Sequence, residues 1–271
     1  MKVTIKTSII AIIFSFVFIT PISAQDFQGK AYYFSKSSLE MGRWAARMSE
    51  AQKKQIKARL KNRLEKTYIL SFNATESLFT EEEKVDAMSG ATDSWGSSFS
   101  RGKQYKNIAE NQLVQEQEFY GKRFLVKDKL LSIDWELKSE SKEIGGYTCF
   151  KASAVVPDEA LRWFNFNWSD LPNPDGEAIE KDIKLSQVDA WYTMQIPVQH
   201  GPAEFWGLPG LILEISTENN TLMCSEIISN PKEEQKIRPP KKGVVINIED
   251  YRKTIIGKML EMRNNMGRRN R

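Results

Sequence analysis

Histidine and cysteine are scarce in this chain, which has one histidine and two cysteines in 271 residues. A zinc site built on C-x-x-C or H-E-x-x-H spacing is excluded because neither pattern occurs. Neither G-x-S-x-G nor G-K-[ST] occurs, so the sequence supports no nucleophile elbow and no phosphate-binding loop. We therefore predict no catalytic residue, no cofactor and no metal ligand from the sequence.

A large excess of one charge is also missing, since the formal net charge is +4 at pH 7. Lys2 and Lys6 account for part of that charge and lie in the N-terminal segment, so the remainder is closer to neutral. A strongly basic face is what nucleic-acid binding requires, and we expect no nucleic-acid partner. No segment beyond the N-terminal one is apolar enough to span a bilayer.

The apolar N-terminal segment has the order of a secretory signal peptide. Basic residues precede an apolar region from Ile9 to Ile19, and small residues follow it. We predict a signal peptide over 1–24 and a single β-rich domain over 25–271, with a disordered tail at about 265–271. Such a protein is expected in the periplasm, at the outer membrane or outside the cell.

Short apolar runs bounded by turn residues dominate the rest of the chain and predict strands. Several of them follow one another without an intervening helix, which favours antiparallel pairing. The predicted fold is mainly β: an antiparallel curved sheet or open half-barrel. One helix near 49–65 and another near 249–264 are expected to pack on it. Ser49 and Gln52 form a capping-box pattern at the start of the first helix.

The first predicted helix is rich in lysine and arginine, so two interpretations exist. It could lie on an anionic membrane surface, or it could expose a solvated basic face while docking on the sheet. Its apolar stripe is narrow and has no interfacial aromatic residue, which favours docking on the sheet.

The stretch from Ala190 to Ile215 is the densest in glycine, proline and aromatic residues. Strand-like runs flank a long turn whose prolines and glycines define a fixed, irregular path. The turn is either a plug that folds back onto the core or a rigid loop that presents a site. His200 lies beside Gly201 in this turn and is expected to be a solvated loop residue. The candidate ligand or partner residues are Tyr192, His200, Gly201, Pro202, Phe205, Trp206, Gly207, Leu208, Pro209 and Gly210.

Cys149 and Cys224 both lie in strand-like runs. An oxidising compartment would allow them to form a disulfide. The alternative is a pair of buried free thiols, because cysteine is among the most buried residue types.

Several blocks resemble one known family. GLPGLI at Gly207–Ile212, IGGYTCFKA at Ile144–Ala152, KTYILSFN at Lys66–Asn73 and NPKEE at Asn230–Glu234 are similar to the GLPGLI family of exported proteins in Bacteroidetes-type bacteria. The resemblance extends over roughly residues 28 to 265. It implies export but no activity, since none is assigned to that family.

Three functions remain open on the sequence. The first is non-enzymatic binding or scaffolding, in the envelope, of an apolar ligand or a protein partner. The second is a carboxylate-dependent hydrolase, which needs two facing acidic groups. Asp134 and Glu136 share one face of a predicted strand, but the alternation of a solvated strand also explains them. The third is a copper-binding protein that uses thioethers of Met259, Met262 and Met266.

Overall fold

The computed structural model describes residues 27–38, 48–59, 61–82, 101–166, 171, 183–232 and 236–269. The predicted signal peptide lies outside these ranges. The strands are β1 (Gly29–Ser37), β2 (Glu65–Phe72), β3 (Glu76–Glu81), β4 (Gln104–Asn107), β5 (Gln112–Phe119), β6 (Lys122–Asp128), β7 (Glu136–Ile144), β8 (Tyr147–Pro157), β9 (Leu185–Thr193), β10 (Leu211–Ser216), β11 (Asn220–Ser229) and β12 (Val244–Ile246). The helices are α1 (Glu50–Arg59), α2 (Lys61–Leu64), α3 (Asp158–Leu161) and α4 (Ile248–Arg269).

All twelve strands belong to one sheet, in the order β12-β6-β5-β4-β3-β2-β1-β11-β10-β9-β8-β7. Neighbouring strands are antiparallel except β12 and β6, which are parallel. The sheet is open, with β12 at one edge and β7 at the other. The predicted fold class is confirmed to this extent: the protein is mainly β, and its mostly antiparallel sheet does not close.

The strand registers place one continuous row of side chains across each half of the sheet. We call the face that carries both rows the inner face, since side chains alternate between the two faces of a strand. Through β1 to β6 the row is Ala31, Leu70, Phe79, Gln104, Gln115 and Val126. Through β1 and β11 to β8 it is Ser35, Leu222, Ile215, Ala190 and Ala152. The inner face therefore turns from apolar to polar at β4 and β5.

The inner face is covered by two different parts of the chain. The loop between β9 and β10 packs on the apolar half, where Phe205 and Leu208 join the main hydrophobic cluster. Helix α4 packs on β5 and β6 through Tyr251, Ile255 and Met259. The buried Trp163 and Phe166, which follow β8, belong to that second cluster.

The two longer helices, α1 and α4, begin at capping residues. At α1 the predicted capping box forms: the Ser49 N–H donates to Gln52 Oε1 at 2.9 Å, and the Gln52 N–H donates to Ser49 Oγ at 3.2 Å. At α4 the Asp250 N–H donates to Asn247 Oδ1 at 2.7 Å. Helix α4 extends to Arg269, beyond the start of the tail predicted at about 265.

The predicted disulfide is not present. Cys149 and Cys224 are free, buried thiols, each with Sγ at 3.5 Å from a backbone carbonyl two residues away on its own strand. Burial raises the pKa of Cys149 to about 11 and that of Cys224 to about 12. Both lie in the main hydrophobic cluster, which is the alternative that burial of cysteine suggested.

In the part of the chain that the structure describes, no helix combines the length and the apolar character needed to cross a bilayer.

Candidate functional site

The loop of residues 194–210, between β9 and β10, folds onto the inner face; we call it the crossover loop. Ala203, Phe205 and Leu208 are almost completely buried within it, at 1%, 4% and 1% exposure. The Leu211 N–H donates back to the Ile196 carbonyl at 2.9 Å, which closes the base of the loop. The loop is therefore a plug of the core, as one of the two sequence interpretations predicted.

The glycines of the GLPGLI segment have separate structural roles. Gly207 has φ +92°, a conformation that residues with a Cβ rarely adopt. A Cβ on Gly210 would lie 2.1 Å from the Thr193 carbonyl oxygen, so only glycine allows the loop to return this closely to β9. The motif thus specifies the backbone path of the crossover loop.

A buried lysine anchors the crossover loop from the opposite half of the sheet. Lys106, on β4, is 1% exposed, and its Nζ donates to the carbonyls of Gly201, Ala203 and Phe205 at 2.8, 2.8 and 2.9 Å. Three acceptors match the three N–H donors of an ammonium group. Burial lowers the pKa of Lys106 to about 7, an effect that the Glu204 carboxylate opposes and the Arg101 charge adds to.

A buried ion pair lies beside this lysine. Arg101 pairs with Glu204, and the two side chains are 13% and 4% exposed. Glu204 Oε1 also accepts from Gln104 Nε2 at 3.3 Å. From Gln104 the hydrogen bonds continue along the inner face to Gln115 and Gln117, each at 3.0 Å. The polar residues of β4 and β5 thus form one connected network under the loop.

Two tryptophans fasten the far end of the crossover loop. The Trp206 Nε1–H donates to the Leu131 carbonyl at 2.7 Å, and the Trp135 Nε1–H donates to the Trp206 carbonyl at 2.9 Å. Each indole N–H therefore has an acceptor, and the centroid of the Trp135 ring lies 6.5 Å from that of the Phe205 ring of the loop. Trp206 is fixed by these contacts and is not a freely presented ring.

The prediction that His200 is a solvated loop residue is wrong. The side chain is completely buried, and its ring centroid lies 6.2 Å from that of Phe72. Neither ring nitrogen has a hydrogen-bond partner, although the Asn73 backbone lies near enough to favour the charged form. Burial and the charge of Lys106 lower the pKa of His200 to about 3, so it is neutral at physiological pH.

A cavity of about 590 Å³ lies between the crossover loop, the strands β5 and β6, and helices α3 and α4. We call it the apolar cavity. Its uncharged lining is mainly apolar: Leu113, Leu130, Leu131, Pro157, Ala160, Trp163 and Ile248. Lys106 and Glu204 border it, so the buried network reaches its wall.

The carboxylates that border the apolar cavity are all engaged. Asp128 Oδ2 accepts from the Ile248 N–H at 3.0 Å, at the start of α4. Glu159 pairs with Arg252 at 3.0 Å, and Glu204 pairs with Arg101. Glu249 pairs with Lys253 at 2.6 Å. These carboxylates therefore act in caps and ion pairs.

A second cavity, of about 360 Å³, lies on the inner face near β1, β9 and β10. Phe205, Tyr68 and Arg101 border it, and Glu204 borders both cavities. Of the ten candidate residues in the sequence-predicted loop, Phe205 is the one that lines a described cavity. The others position the loop, and Tyr192 packs in the main cluster at 6.3 Å from the Phe150 ring.

Sequence reasoning missed Lys106, Gln104, Arg101 and Glu204. The one local signal was Glu204 itself, an acidic residue between apolar neighbours inside a loop expected to pack on the core. Lys106 gives no such signal, because strand alternation cannot tell which face of QYKN will meet a loop 95 to 99 residues later.

Of the methionines of the copper hypothesis, Met259 packs in the core and Met262 is half-buried. Met259 is 1% exposed and lies in the cluster of α4. The side chain of Met266 lies outside the described residues. The described residues contain no group of three or more histidine, cysteine or acidic side chains arranged to hold a metal ion.

Part of the chain matches a family model whose function is unassigned. Residues 135–214 match the family model "Protein of unknown function (Porph_ging)". This span runs from Trp135 through the crossover loop to Glu214. No curated protein matches the sequence.

Two solved structures align with most of this chain. "Structure of PNGF-II in C2 space group" has a TM-score of 0.49 and 14% identity, and "Structure of PNGF-II in P21 space group" has 0.48 and 13%. Each alignment covers 86% of this chain and 33% of the other, so the chain spans about a third of their length. A likeness at this level does not extend to the residues of the site or to their chemistry.

Proposed function

We propose that this protein is an exported, non-enzymatic envelope protein that binds an apolar or amphipathic small molecule in the apolar cavity. The observation that carries the proposal is a partly open space of about 590 Å³ whose uncharged walls are mainly hydrophobic. This volume falls within the range of about 300–1,000 Å³ that small-molecule sites occupy. The signal-peptide pattern at the N-terminus supports export.

The walls of the cavity favour binding over hydrolysis. A carboxylate-dependent hydrolase needs a general acid and a general base that face the substrate. Asp128, Glu159, Glu204 and Glu249 are committed to a helix cap or to cations. The half-buried side chains of Leu131 and Ile248 present apolar surface for a ligand's hydrophobic part, and Lys106 and Glu204 provide a polar wall.

A fluorescent apolar probe tests the proposal directly. N-phenyl-1-naphthylamine, titrated into the full-length exported protein, is expected to show a saturable rise in fluorescence that dodecanol reverses. The variant Ala160→Phe places a ring in the cavity from α3 and is expected to weaken binding by at least about tenfold.

The matched control is Val155→Phe. Val155 is 63% exposed on β8, five residues from Ala160, and lies outside both cavities. This variant is expected to bind the probe like the natural protein. If Ala160→Phe binds the probe as tightly as Val155→Phe, the ligand does not occupy the apolar cavity and the proposal is wrong.

A further inference from the structure

The second cavity differs from the apolar cavity in the chemistry of its lining. It carries hydroxyl and amide side chains at its sides, and we call it the serine cleft. These polar residues are Ser35, Ser37, Ser38, Asn165, Ser186, Thr217, Asn219 and Asn220. Its volume of about 360 Å³ lies at the small end of the range for small-molecule sites.

The hydroxyl groups of the cleft already donate their protons in hydrogen bonds within the protein. Ser35 Oγ and Ser37 Oγ donate to Asn220 Oδ1 at 3.1 and 3.2 Å. Ser186 Oγ donates to Asp158 Oδ1 at 2.9 Å, and Thr217 Oγ1 donates to the Asn220 carbonyl at 3.2 Å. Each hydroxyl oxygen keeps acceptor capacity, because a hydroxyl has one donor and two lone pairs. The cleft is therefore rich in acceptors and suits a ligand that carries several O–H or N–H groups.

The cations that border the cleft are paired with carboxylates. Arg162 pairs with Asp158 and Arg101 with Glu204. Lys66 pairs with Glu81 at 2.7 Å, and Lys184 lies 3.6 Å from Glu218. Since each positive charge has a nearby negative partner, the cleft favours a neutral ligand over an anion.

The floor of the cleft is apolar and partly aromatic. Tyr68 and Phe79 stack with ring centroids 4.8 Å apart and an interplanar angle of 16°. Phe205, Ile215 and Leu222 complete the floor and are 4%, 1% and 5% exposed. A ligand that fits must have an apolar face as well as donor groups at its edge, because an apolar floor cannot satisfy buried hydroxyls.

We propose that the serine cleft binds a neutral saccharide. A pyranose ring has C–H groups on its faces for the half-buried Leu161 and Phe164, which also line the cleft, and hydroxyl donors around its edge for the serine oxygens. The proposal goes beyond the function assigned to the apolar cavity, since it concerns a different space and a different class of ligand.

Saturation-transfer NMR on the full-length exported protein tests the proposal with named probes. Cellobiose, maltose and N,N′-diacetylchitobiose are the neutral saccharides, digalacturonate is the anionic one, and sorbitol is an open-chain polyol. At least one neutral saccharide is expected to show saturation transfer at its ring protons. Isothermal titration calorimetry then gives the dissociation constant of the probe that binds.

Ser186→Ala and Ser153→Ala form a matched pair of variants. Ser186 donates to Asp158 inside the cleft, whereas Ser153 donates to Asp189 at 2.7 Å and borders neither cavity. Ser186→Ala is expected to weaken saccharide binding about fivefold or more, through loss of one acceptor. Ser153→Ala and the cavity-filling Ala160→Phe are expected to leave it unchanged.

Four results would overturn the proposal. They are no saturation transfer from any neutral saccharide, binding of digalacturonate alone, equal binding of sorbitol and the rings, and equal losses in Ser186→Ala and Ser153→Ala. Because Ala160→Phe affects only the apolar cavity, failure of the saccharide proposal is distinguishable from failure of the proposed function.

Discussion

The inner face of the sheet is polar where β4 and β5 cross it and apolar where β9 to β11 cross it. In the polar region Gln104, Gln115 and Lys106 are buried and hydrogen-bonded. In the apolar region Leu211, Leu213 and Ile215 are buried in the main hydrophobic cluster. The two regions therefore reach the same burial by different means, one by directional contacts and the other by packing.

The crossover loop is the place where these two means meet. Its side chains Phe205 and Leu208 join the apolar cluster, while three of its carbonyls accept from Lys106. A loop buried this deeply must satisfy its backbone carbonyls inside the protein, because no water reaches them. A single lysine on the polar strand does so, and the polar region is thus what allows an irregular loop to fill the core.

The variant Lys106→Met tests this role and has the largest expected effect. It keeps an apolar side chain of similar length but leaves three buried carbonyls without their donor. We expect the free energy of unfolding to fall by about 3–5 kcal/mol, as on breaking a buried charged contact. Urea unfolding followed by tryptophan fluorescence measures the change.

The control is Lys103→Met, on the exposed residue before β4. A surface substitution of this kind is expected to change the stability by no more than about 0.5 kcal/mol. If the two variants unfold at the same urea concentration, the comparison between the polar and apolar regions loses its main support.

His200 offers a second test of the comparison. It is a fully buried polar side chain near the Phe72 ring, and neither of its ring nitrogens has a hydrogen-bond partner. In the folded protein its pKa is about 3, and in the unfolded chain it returns to about 6.5. The unfolded chain therefore takes up a proton as the pH falls below 6.5, and the folded chain does not. We expect the free energy of unfolding to fall by about 2 kcal/mol between pH 7 and pH 5.

Urea unfolding at both pH values, in the natural protein and in His200→Leu, measures this change in the free energy of unfolding. Because the chain has one histidine, the variant is expected to lose most of the pH dependence in this window. An equal slope in both proteins would show that His200 is protonated in the fold, or that another group carries the effect.

The smallest expected effect concerns Cys149 and Cys224 in the apolar region. Burial raises the pKa of both thiols, so little thiolate forms at pH 8 and reaction of the folded protein with Ellman's reagent is expected to be slow. Without reductant, the unfolded protein should release two thiol equivalents. Stability should not change when a reductant is added, whereas detection of no thiol would establish the disulfide.

Local patterns predicted the elements whose causes are local. The capping box of Ser49 and Gln52, the helix predicted near 249–264 and the path of the glycine-rich loop all follow from short-range spacing. The buried state of His200 did not, because exposure of a loop residue depends on where the whole loop packs.

The candidate site was predicted only in part for the same reason. The crossover loop was identified, but its polar anchor was not, since Lys106 precedes the carbonyls it binds by 95 to 99 residues. Neither cavity could be predicted, because the residues that line each one come from distant strands, from loops and from short helices.

By itself the sequence determined a mainly β chain with an N-terminal export pattern. It also determined a stiff, glycine- and proline-rich loop whose apolar side chains must be buried. Alternating and helical periodicities are local, and the conformational limits of glycine and proline act within one or two residues. Only the tertiary structure decided that Lys106 binds the carbonyls of the loop, that Glu204 borders both cavities, and that the two cysteines are free thiols. Those outcomes depend on which strand faces lie inward, and that choice is made by the packing of the entire sheet.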